Sequence, residues 1–265
     1  MKNYCFTVDD NIRFLKELTN GNNRDLFEHP YLAMYRRLHE AYGVKVQLNL
    51  FYEMPGFDLS QMTERFKEQF QQNAFWLKMS FHSRLENVCP YEFSGYEEVY
   101  ADCKAVQDQI LRFAGQECLA QTTTIHYCRN TAQGLEALKD NGVKGLLGLF
   151  GTDAAPRTSY EVPMEDACKI RRGHIVPYLG IPMGSIDMVI NDCKRENLIP
   201  CLEALMPRNQ FHVMIHEQYF YPDYVRYIPD FEDMLRDIFG FMEKNAFASR
   251  FFEEMISFPA CGMRN

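Results

Sequence analysis

Short apolar segments alternate along the chain with longer segments in which apolar residues recur at helical spacing. Helix punctuation is clear in places, since Pro30 begins one helical segment, Gly43 follows its end, and Gly115 follows another. Strands that alternate with helices form parallel sheets covered by those helices. The predicted strands are 4–8, 44–51, 75–82, 119–127, 143–150 and 210–216, and the predicted helices begin near 11 and cover 30–42, 59–72, 96–113, 131–141, 195–205, 230–244 and 248–255.

The predicted strands have one apolar face and one polar face. In the second strand Leu48 and Leu50 share a face, whereas Gln47 and Asn49 share the opposite face. The polar faces of the second, fourth and last strands carry Lys45, Gln47, Asn49, Thr122, Thr124, His126, His212 and His216. Strands of an open sheet with helices on both sides are normally apolar on both faces. The pattern therefore requires a place for buried polar side chains.

A closed barrel provides that place, because its interior opens at the carboxyl ends of the strands. A doubly wound open sheet explains the polar faces less well. An antiparallel sheet with one wetted face conflicts with the helices between the strands. The sequence therefore predicts an α/β fold, a single TIM-like (β/α) barrel of parallel strands and outer helices, as one domain over residues 1–265.

Charge and cysteine usage narrow the partners and the compartment. The chain has 265 residues, a formal net charge of −8 and a pI near 5.4, so nucleic acid and anionic membranes are not expected partners. The first segment, MKNYCFTVDD, becomes charged too early for a secretory leader, and no apolar run approaches a spanning length. The nine cysteines form no C-x-x-C pair, which disfavours a zinc ribbon or a disulfide scaffold. We expect a reduced, cytoplasmic protein.

Metal-capable side chains stand at the ends of four predicted strands. Asp9 and Asp10 end the first, His82 ends the third, His126 lies near the end of the fourth, and His216 ends the last. In a parallel barrel these ends converge on one mouth. Carboxylate and imidazole ligands suit a divalent metal, Zn²⁺ first, with Fe²⁺, Co²⁺ and Ni²⁺ as alternatives. The pattern predicts a catalytic metal site there.

Each of these residues also has a plain structural explanation. Asp9 and Asp10 could form a turn and a helix N-cap. A single histidine such as His82 or His126 is more often a buried core residue, and Glu86, on a loop, is solvated by default. The coincidence of four strand ends favours the metal site over these explanations.

Three segments resemble, in chain order, motifs of the polysaccharide deacetylase (NodB-homology) family. The segment FTVDDN at 6–11 is similar to its first motif, T-F-D-D-G, and HSRLE at 82–86 to its second, H-[ST]-x-x-H. The segment VMIH at 213–216 is similar to its last strand end. The resemblance spans nearly the whole chain. It implies a distorted seven-stranded barrel of the glycoside hydrolase/deacetylase superfamily.

The resemblance also implies a reaction and roles for individual residues. The implied enzyme is a metal-dependent hydrolase that removes acetyl groups or cleaves a related C–N bond on a carbohydrate-like small molecule. Asp9 would be the general base that activates water, and His216 the general acid. Asp10 and His82 would be metal ligands.

The sequence departs from the family pattern at three places. Asn11 replaces the glycine after the aspartate pair, although Asn also adopts left-handed backbone conformations. Glu86 replaces the second metal histidine, so the third ligand is open between Glu86 and His126. The Arg-Pro-Pro-Tyr-like third motif is not recognisable, and Arg129 is its nearest candidate.

Two further residues are candidates for the substrate site. Asp187 could orient a catalytic histidine, and Tyr219, in the aromatic run after His216, could stack on a sugar ring. The alternative hypothesis is a catalytically altered barrel that binds a carbohydrate or a partner protein without turnover. A different metal-dependent barrel, such as an amidohydrolase, lacks its usual H-x-H pair here. The sequence leaves the substrate, the metal and the oligomeric state open.

Overall fold

The computed structural model describes residues 2–86 and 91–256. The strands are β1 Lys2–Asn11, β2 Val46–Phe51, β3 Glu53–Met54, β4 Phe57–Asp58, β5 Leu77–Ser83, β6 Thr122–Thr123, β7 Gly145–Gly148, β8 Val176–Tyr178, β9 Ile181–Ser185, β10 Met188–Val189, β11 Gln210–His216 and β12 Phe247–Ser249. The helices are α1 Arg13–Asn20, α2 Pro30–Tyr42, α3 Lys67–Asn73, α4 Tyr96–Phe113, α5 Ala132–Asp140, α6 Met164–Arg171, α7 Arg195–Leu205, α8 Phe231–Lys244 and α9 Phe252–Ile256.

The central strands form two mostly parallel sheets. The larger has the order β10-β11-β1-β2-β5, with β12 also paired to β1, and the smaller has the order β6-β7-β9-β8. A bridge between Met79 and Leu119 joins the sheets on one side, and the N–H of Asp187 donates to the carbonyl of His212 at 3.0 Å on the other. The predicted α/β class and parallel strand direction are confirmed. Closure into one barrel and the single-domain organisation stay predictions.

The polar strand faces are buried and bonded to one another. The side chain of Gln47 donates to Asn49 Oδ1 and to the carbonyl of Thr122, both at 2.8 Å. Ser80 on β5 donates to Thr123 Oγ1 on β6 at 3.1 Å. These bonds link β2, β5 and β6, so the polar faces meet inside the molecule rather than facing water. They offset the cost of burying polar groups.

The predicted strand at 119–127 is wrong over most of its length. Only Leu119 and the two residues of β6 pair with neighbouring strands. Tyr127 and Cys128 have φ angles of 59° and 55°, which end the extended chain and form a short 3₁₀ turn with His126. The turn sets the direction of the His126 side chain.

Two predicted helices are interrupted by tertiary hydrogen bonds. The segment 59–72 contains a 3₁₀ turn and then α3, because the Arg112 guanidinium takes the carbonyls of Leu59 and Met62, each at 2.8 Å. The segment 248–255 begins as β12, because Ala248 pairs with Asn3 of β1, and only then becomes α9. Neither partner can be seen in the local sequence.

Other elements follow the predicted boundaries. The helices α2, α4 and α7 and the strand β11 match the predicted ranges at both ends. The pattern missed α6, β8, β9 and β10 in the middle of the chain. Within the described ranges, no helix combines the length and the apolar character needed to cross a bilayer.

Candidate metal centre

The aspartate pair lies on a bulge in β1. Val8 pairs with Leu48 and Asn11 pairs with Leu50, so β1 has one more residue than β2 between these two pairs. Asp10 lies inside the bulge with a φ of 63°. Successive side chains of a regular strand point to opposite faces. The bulge suspends this alternation, and both aspartates line one pocket.

Asn11 stabilises the bulge rather than supplying its left-handed residue. Its side-chain amide donates to the carbonyl of Val8 at 2.6 Å and accepts from the hydroxyl of Tyr31 at 2.8 Å. The left-handed conformation expected to make Asn11 tolerable after the aspartate pair occurs at Asp10 instead. Asp10 takes the positive φ, since aspartate is one of the few residue types that adopts it readily.

Asp10, His82 and His126 form a compact group of three buried side chains, here called the Asp-His-His triad. His82 Nε2 lies 3.0 Å from Asp10 Oδ1 and 3.1 Å from His126 Nδ1. His126 Nδ1 lies 3.3 Å from Asp10 Oδ1. One ligand atom from each residue therefore faces a common centre.

Backbone carbonyls fix the orientation of both imidazoles. His82 Nδ1 donates to the carbonyl of Thr124 at 2.5 Å, and His126 Nε2 donates to the carbonyl of Glu86 at 2.6 Å. A carbonyl only accepts, so each neutral ring turns its lone pair toward the triad centre. Two lone pairs and a carboxylate repel at these distances unless a proton or a metal ion lies among them. Such outer hydrogen bonds are typical of metal-binding histidines.

The two aspartates are electrostatically different. Burial opposes ionisation of Asp10, but when protons occupy the facing imidazole nitrogens in place of a metal ion, hydrogen bonds from His126 and His82 hold the pKa of its carboxyl well below its usual value. Burial raises the pKa of Asp9, against the charges of His82 and His216. Neighbouring carboxylates with diverging pKa values commonly divide ligand and proton-transfer roles. Here the carboxyl of Asp10 loses its proton more readily, and the carboxylate of Asp9 binds a proton more strongly.

Asn191, rather than Asp187, orients His216. The Nδ1 of His216 is 2.8 Å from Asn191 Oδ1, and its Nε2 is 4.0 Å from Asp10 Oδ2. Asp187 is instead paired with Arg208 and accepts the backbone N–H of His212 at 3.0 Å. The prediction that Asp187 orients a catalytic histidine is wrong, because these bonds hold both of its oxygens. Asp187 ties the end of β9 to β11.

The three other predicted site residues, Glu86, Arg129 and Tyr219, differ from one another in how they lie relative to the triad. Glu86 contributes its backbone carbonyl to His126, and its carboxylate lies outside the triad. Arg129 is half exposed, lies 3.8 Å from Glu92 and is not among the described residues that line the pocket around the triad. Tyr219 lines the pocket around the triad, with its ring centroid 6.0 Å from that of His216.

Gln218 belongs to the site and was missed by sequence reasoning. Its side-chain amide donates to Asp10 Oδ2 at 2.7 Å, whereas His82 and His126 contact the other carboxylate oxygen, Oδ1. A glutamine just after a strand carries no distinctive sequence signal. Its position directly after the His216–Glu217 pair was the only available indication.

Two cavities meet beside Asp10. The first, here called the catalytic pocket, measures about 410 Å³ and is lined by Asp9, the triad, His216 and Tyr219. The second, here called the hairpin cavity, measures about 910 Å³ and lies against the β3–β4 hairpin. The residues common to both are Asp10, Glu86, Gln218 and Tyr224.

Glu217 caps the N-terminus of α1, the helix that follows the aspartate pair. Its buried carboxylate accepts the backbone N–H groups of Ile12, Arg13 and Phe14 at 2.7, 2.9 and 2.8 Å. The hydroxyl of Tyr221 donates to it at 3.1 Å. Burial raises the pKa of Glu217 to about 7, against these donors. The carboxylate thus ties the end of β11 to the helix that follows the aspartate pair.

Glu217→Ala is expected to lower the free energy of unfolding by about 3 kcal/mol, because three buried N–H groups lose their acceptor. For a chain of this size that corresponds to a fall in Tm of roughly 6–12 °C, measurable by calorimetry. Glu40→Ala is the control, since Glu40 forms an exposed pair with Arg36 at 2.9 Å and should change stability by less than about 0.5 kcal/mol. Equal losses in both variants would contradict the capping role.

Comparison with solved structures shows a shared fold. The chain resembles a family 4 acetyl xylan esterase from Clostridium thermocellum in complex with a cobalt ion, with a TM-score of 0.53, 10% identity and coverage of 97% of this chain and 91% of that chain. A peptidoglycan N-acetylglucosamine deacetylase matches with a TM-score of 0.54, 11% identity and coverage of 96% and 87%. The polysaccharide deacetylase fold implied by the motifs is therefore confirmed.

The same fold also occurs in a larger enzyme. A 4-alpha-glucanotransferase from Thermococcus litoralis matches with a TM-score of 0.63 and 12% identity, over 98% of this chain but only 41% of that chain. No protein-family model and no curated protein matches the sequence. At these identities the likeness establishes the fold, and the reaction has to be inferred from the site.

Proposed function

We propose that the protein is a metal-dependent hydrolase that removes an acyl group, or cleaves a related C–N bond, on a carbohydrate-like small molecule. The observation that carries the proposal is the Asp-His-His triad, whose two imidazole lone pairs and one carboxylate face a common centre within 3.0–3.3 Å of one another. The cobalt ion in an acetyl xylan esterase of the same fold supports it.

The triad fits a divalent metal by its chemistry. One carboxylate oxygen and two imidazole nitrogens are a donor set suited to Zn²⁺, and also to Fe²⁺, Co²⁺ and Ni²⁺. Asp10, His82 and His126 would hold the ion, and the carbonyls of Thr124 and Glu86 already orient the two rings. When bound, the ion would supply a Lewis acid at the substrate carbonyl.

The chain's own residues would move the protons. Asp9 would accept a proton from the attacking water, and the amide of Asn49 holds its Oδ1 at 2.6 Å. Burial raises its pKa, which makes its carboxylate a stronger proton acceptor. His216 would donate a proton to the leaving atom, with its Nδ1 held by Asn191. Tyr219 would offer a flat surface for a sugar ring at the pocket mouth.

Metal content and acetate release test this proposal together. We expect the purified protein to bind about one Zn²⁺ or Co²⁺ per chain and to release acetate from N-acetylglucosamine oligomers or acetylated xylo-oligosaccharides. Elemental analysis and an enzymatic acetate assay measure the two quantities. A protein that stays metal-free after dialysis against each of these ions would refute the proposal.

A catalytically altered binding protein is the second candidate. The position of Arg129 favours it, because this residue was the candidate for the missing third motif, and it pairs with Glu92 and is not among the described residues that line the catalytic pocket. This hypothesis predicts a bound metal and measurable binding of acetylated sugars, without acetate release at any metal loading. The acetate assay therefore separates the two candidates.

The third metal ligand is tested by one pair of substitutions. His126→Ala is expected to lower the affinity for Zn²⁺ by more than about 100-fold, because it removes a ligand atom of the triad. Glu86→Gln should change it by less than about tenfold, since the backbone carbonyl that orients His126 remains. Competition with a chelator of known affinity measures both values. The reverse order would assign the ligand to Glu86.

A further inference from the structure

The hairpin cavity differs in character from the catalytic pocket that it joins. It has more than twice the volume, about 910 against 410 Å³. Its apolar lining residues are Ile12, Phe51, Met54, Pro55, Phe57 and Leu85. Acidic side chains stand among them, and Arg13, its basic residue, is already bonded to Glu17 and Asp223 at 2.9 and 2.7 Å. The carboxylates disfavour an anionic group, and the apolar side chains offer contacts to an uncharged apolar group.

The wall of the cavity is built before any ligand binds. Glu53 and Met54 pair with Asp58 and Phe57 across the hairpin. The tip is held to α1 by Lys16, whose ammonium group donates to the carbonyl of Pro55 at 2.9 Å. A preformed apolar cavity costs little to fill, and the described residues of this lining are already in place.

The position of the proposed acid indicates which part of a substrate enters this cavity. His216 must lie beside the leaving nitrogen in order to protonate it. Among the described residues, His216 lines the catalytic pocket and does not line the hairpin cavity. The hairpin cavity instead reaches the triad at Asp10, where the substrate carbonyl would lie. The group on the far side of that carbonyl from the nitrogen is the acyl chain.

We infer that the hairpin cavity binds the acyl chain of the substrate, and that the enzyme hydrolyses amides of aliphatic acyl groups much longer than acetyl. This inference rests on the proposed function. In the reaction the amide C–N bond breaks and the water oxygen forms the new C–O bond. The proton from water passes to Asp9, His216 protonates the leaving nitrogen, and the products are a carboxylic acid and an amine. An acetyl methyl alone would leave almost all of the cavity to water.

An acyl-length series tests the inference by kinetics. With N-acylglucosamines from acetyl to octanoyl, kcat/KM of the metal-loaded enzyme is expected to rise roughly threefold per methylene until the cavity is full. Met54→Trp should abolish this rise by filling the cavity, whereas Met164→Trp, on an exposed position of α6, should retain it. Equal rates at all lengths, or a maximum at acetyl, would overturn the inference.

A second variant covers the case in which Met54→Trp does not fold. Leu85 is 37% exposed, so Leu85→Gln is tolerated sterically and makes the lining polar. It is expected to lower kcat/KM for the octanoyl substrate several-fold more than for the acetyl substrate. A uniform effect on both substrates would count against the acyl site.

Binding of a neutral amide gives a readout that does not depend on turnover. By calorimetry, wild-type protein should bind octanamide at least about 100-fold more tightly than acetamide, and Met54→Trp should lose this difference. No preference for octanamide would overturn the inference. If octanamide binds as expected but no N-acylglucosamine of any length is hydrolysed, the proposed function fails, while the assignment of the cavity to acyl chains stands.

Discussion

Asp10→Ala and His82→Ala are each expected to lower the affinity for Zn²⁺ by more than about 100-fold and to abolish hydrolysis. Loss of a residue that only orients a ligand typically costs 10–100-fold, and loss of a ligand atom costs more. The 3.0 Å approach of His82 Nε2 to Asp10 Oδ1 makes the effect mutual, since neither residue can hold the ion alone. Chelator competition measures the affinity.

Thermal unfolding provides an independent measurement of the same effect. An ion present at 100 times its Kd stabilises the folded state by about 2.7 kcal/mol, and the wild-type Tm should rise accordingly. The Asp10→Ala and His82→Ala variants should show no such rise. Asp108→Ala is the matched control, because Asp108 pairs with Lys104 on the exposed face of α4. A metal-dependent rise in Tm in the Asp10→Ala variant would place the ion elsewhere.

Asp9→Asn and His216→Ala are expected to lower kcat by about 10²–10⁴-fold while the metal remains bound. Asparagine has the shape of aspartate, and its Oδ1 can still accept from Asn49, so the fold around position 9 is preserved. It cannot accept the proton of the attacking water. Metal analysis and kcat, measured on the same preparation, separate loss of proton transfer from loss of the ion.

The control for this pair is Asn191→Ala. Asn191 is a positioning residue, and its loss frees His216 to rotate without removing the imidazole. We expect a smaller fall in kcat than for His216→Ala, and a double variant no worse than His216→Ala alone. Full activity of Asp9→Asn would refute the base assignment, because the amide cannot accept the proton of the attacking water.

The elements whose signals lie within their own segments could be predicted from the sequence. The helices α2, α4 and α7 and the strand β11 have their signals within the segment itself, as periodic apolar positions with caps and breakers. The failures occurred where a distant group took over backbone bonds. Arg112 interrupts the helix predicted at 59–72 by binding carbonyls of Leu59 and Met62. No pattern inside that segment contains this information.

The candidate site shows the same division. Strand ends and the ordered motifs placed the metal-capable residues at one mouth, and the structure brings Asp9, Asp10, His82 and His216 together there. The sequence left the third ligand open, and the structure places His126 in the triad. Asn191 and Gln218 were not predicted, because a single side-chain amide near a strand end gives no sequence signal that distinguishes it from an ordinary surface residue.

The sequence by itself determined that this protein alternates strands and helices, buries polar strand faces and carries its metal-capable residues at strand ends. These features follow from local periodicity and residue chemistry. Only the tertiary structure decided which side chains meet, because Asp10 and His82 are 72 positions apart and His126 is a further 44 positions along the chain. The bulge at Asp10, the turn after Thr124 and the size of the hairpin cavity depend on packing between segments that no local pattern records.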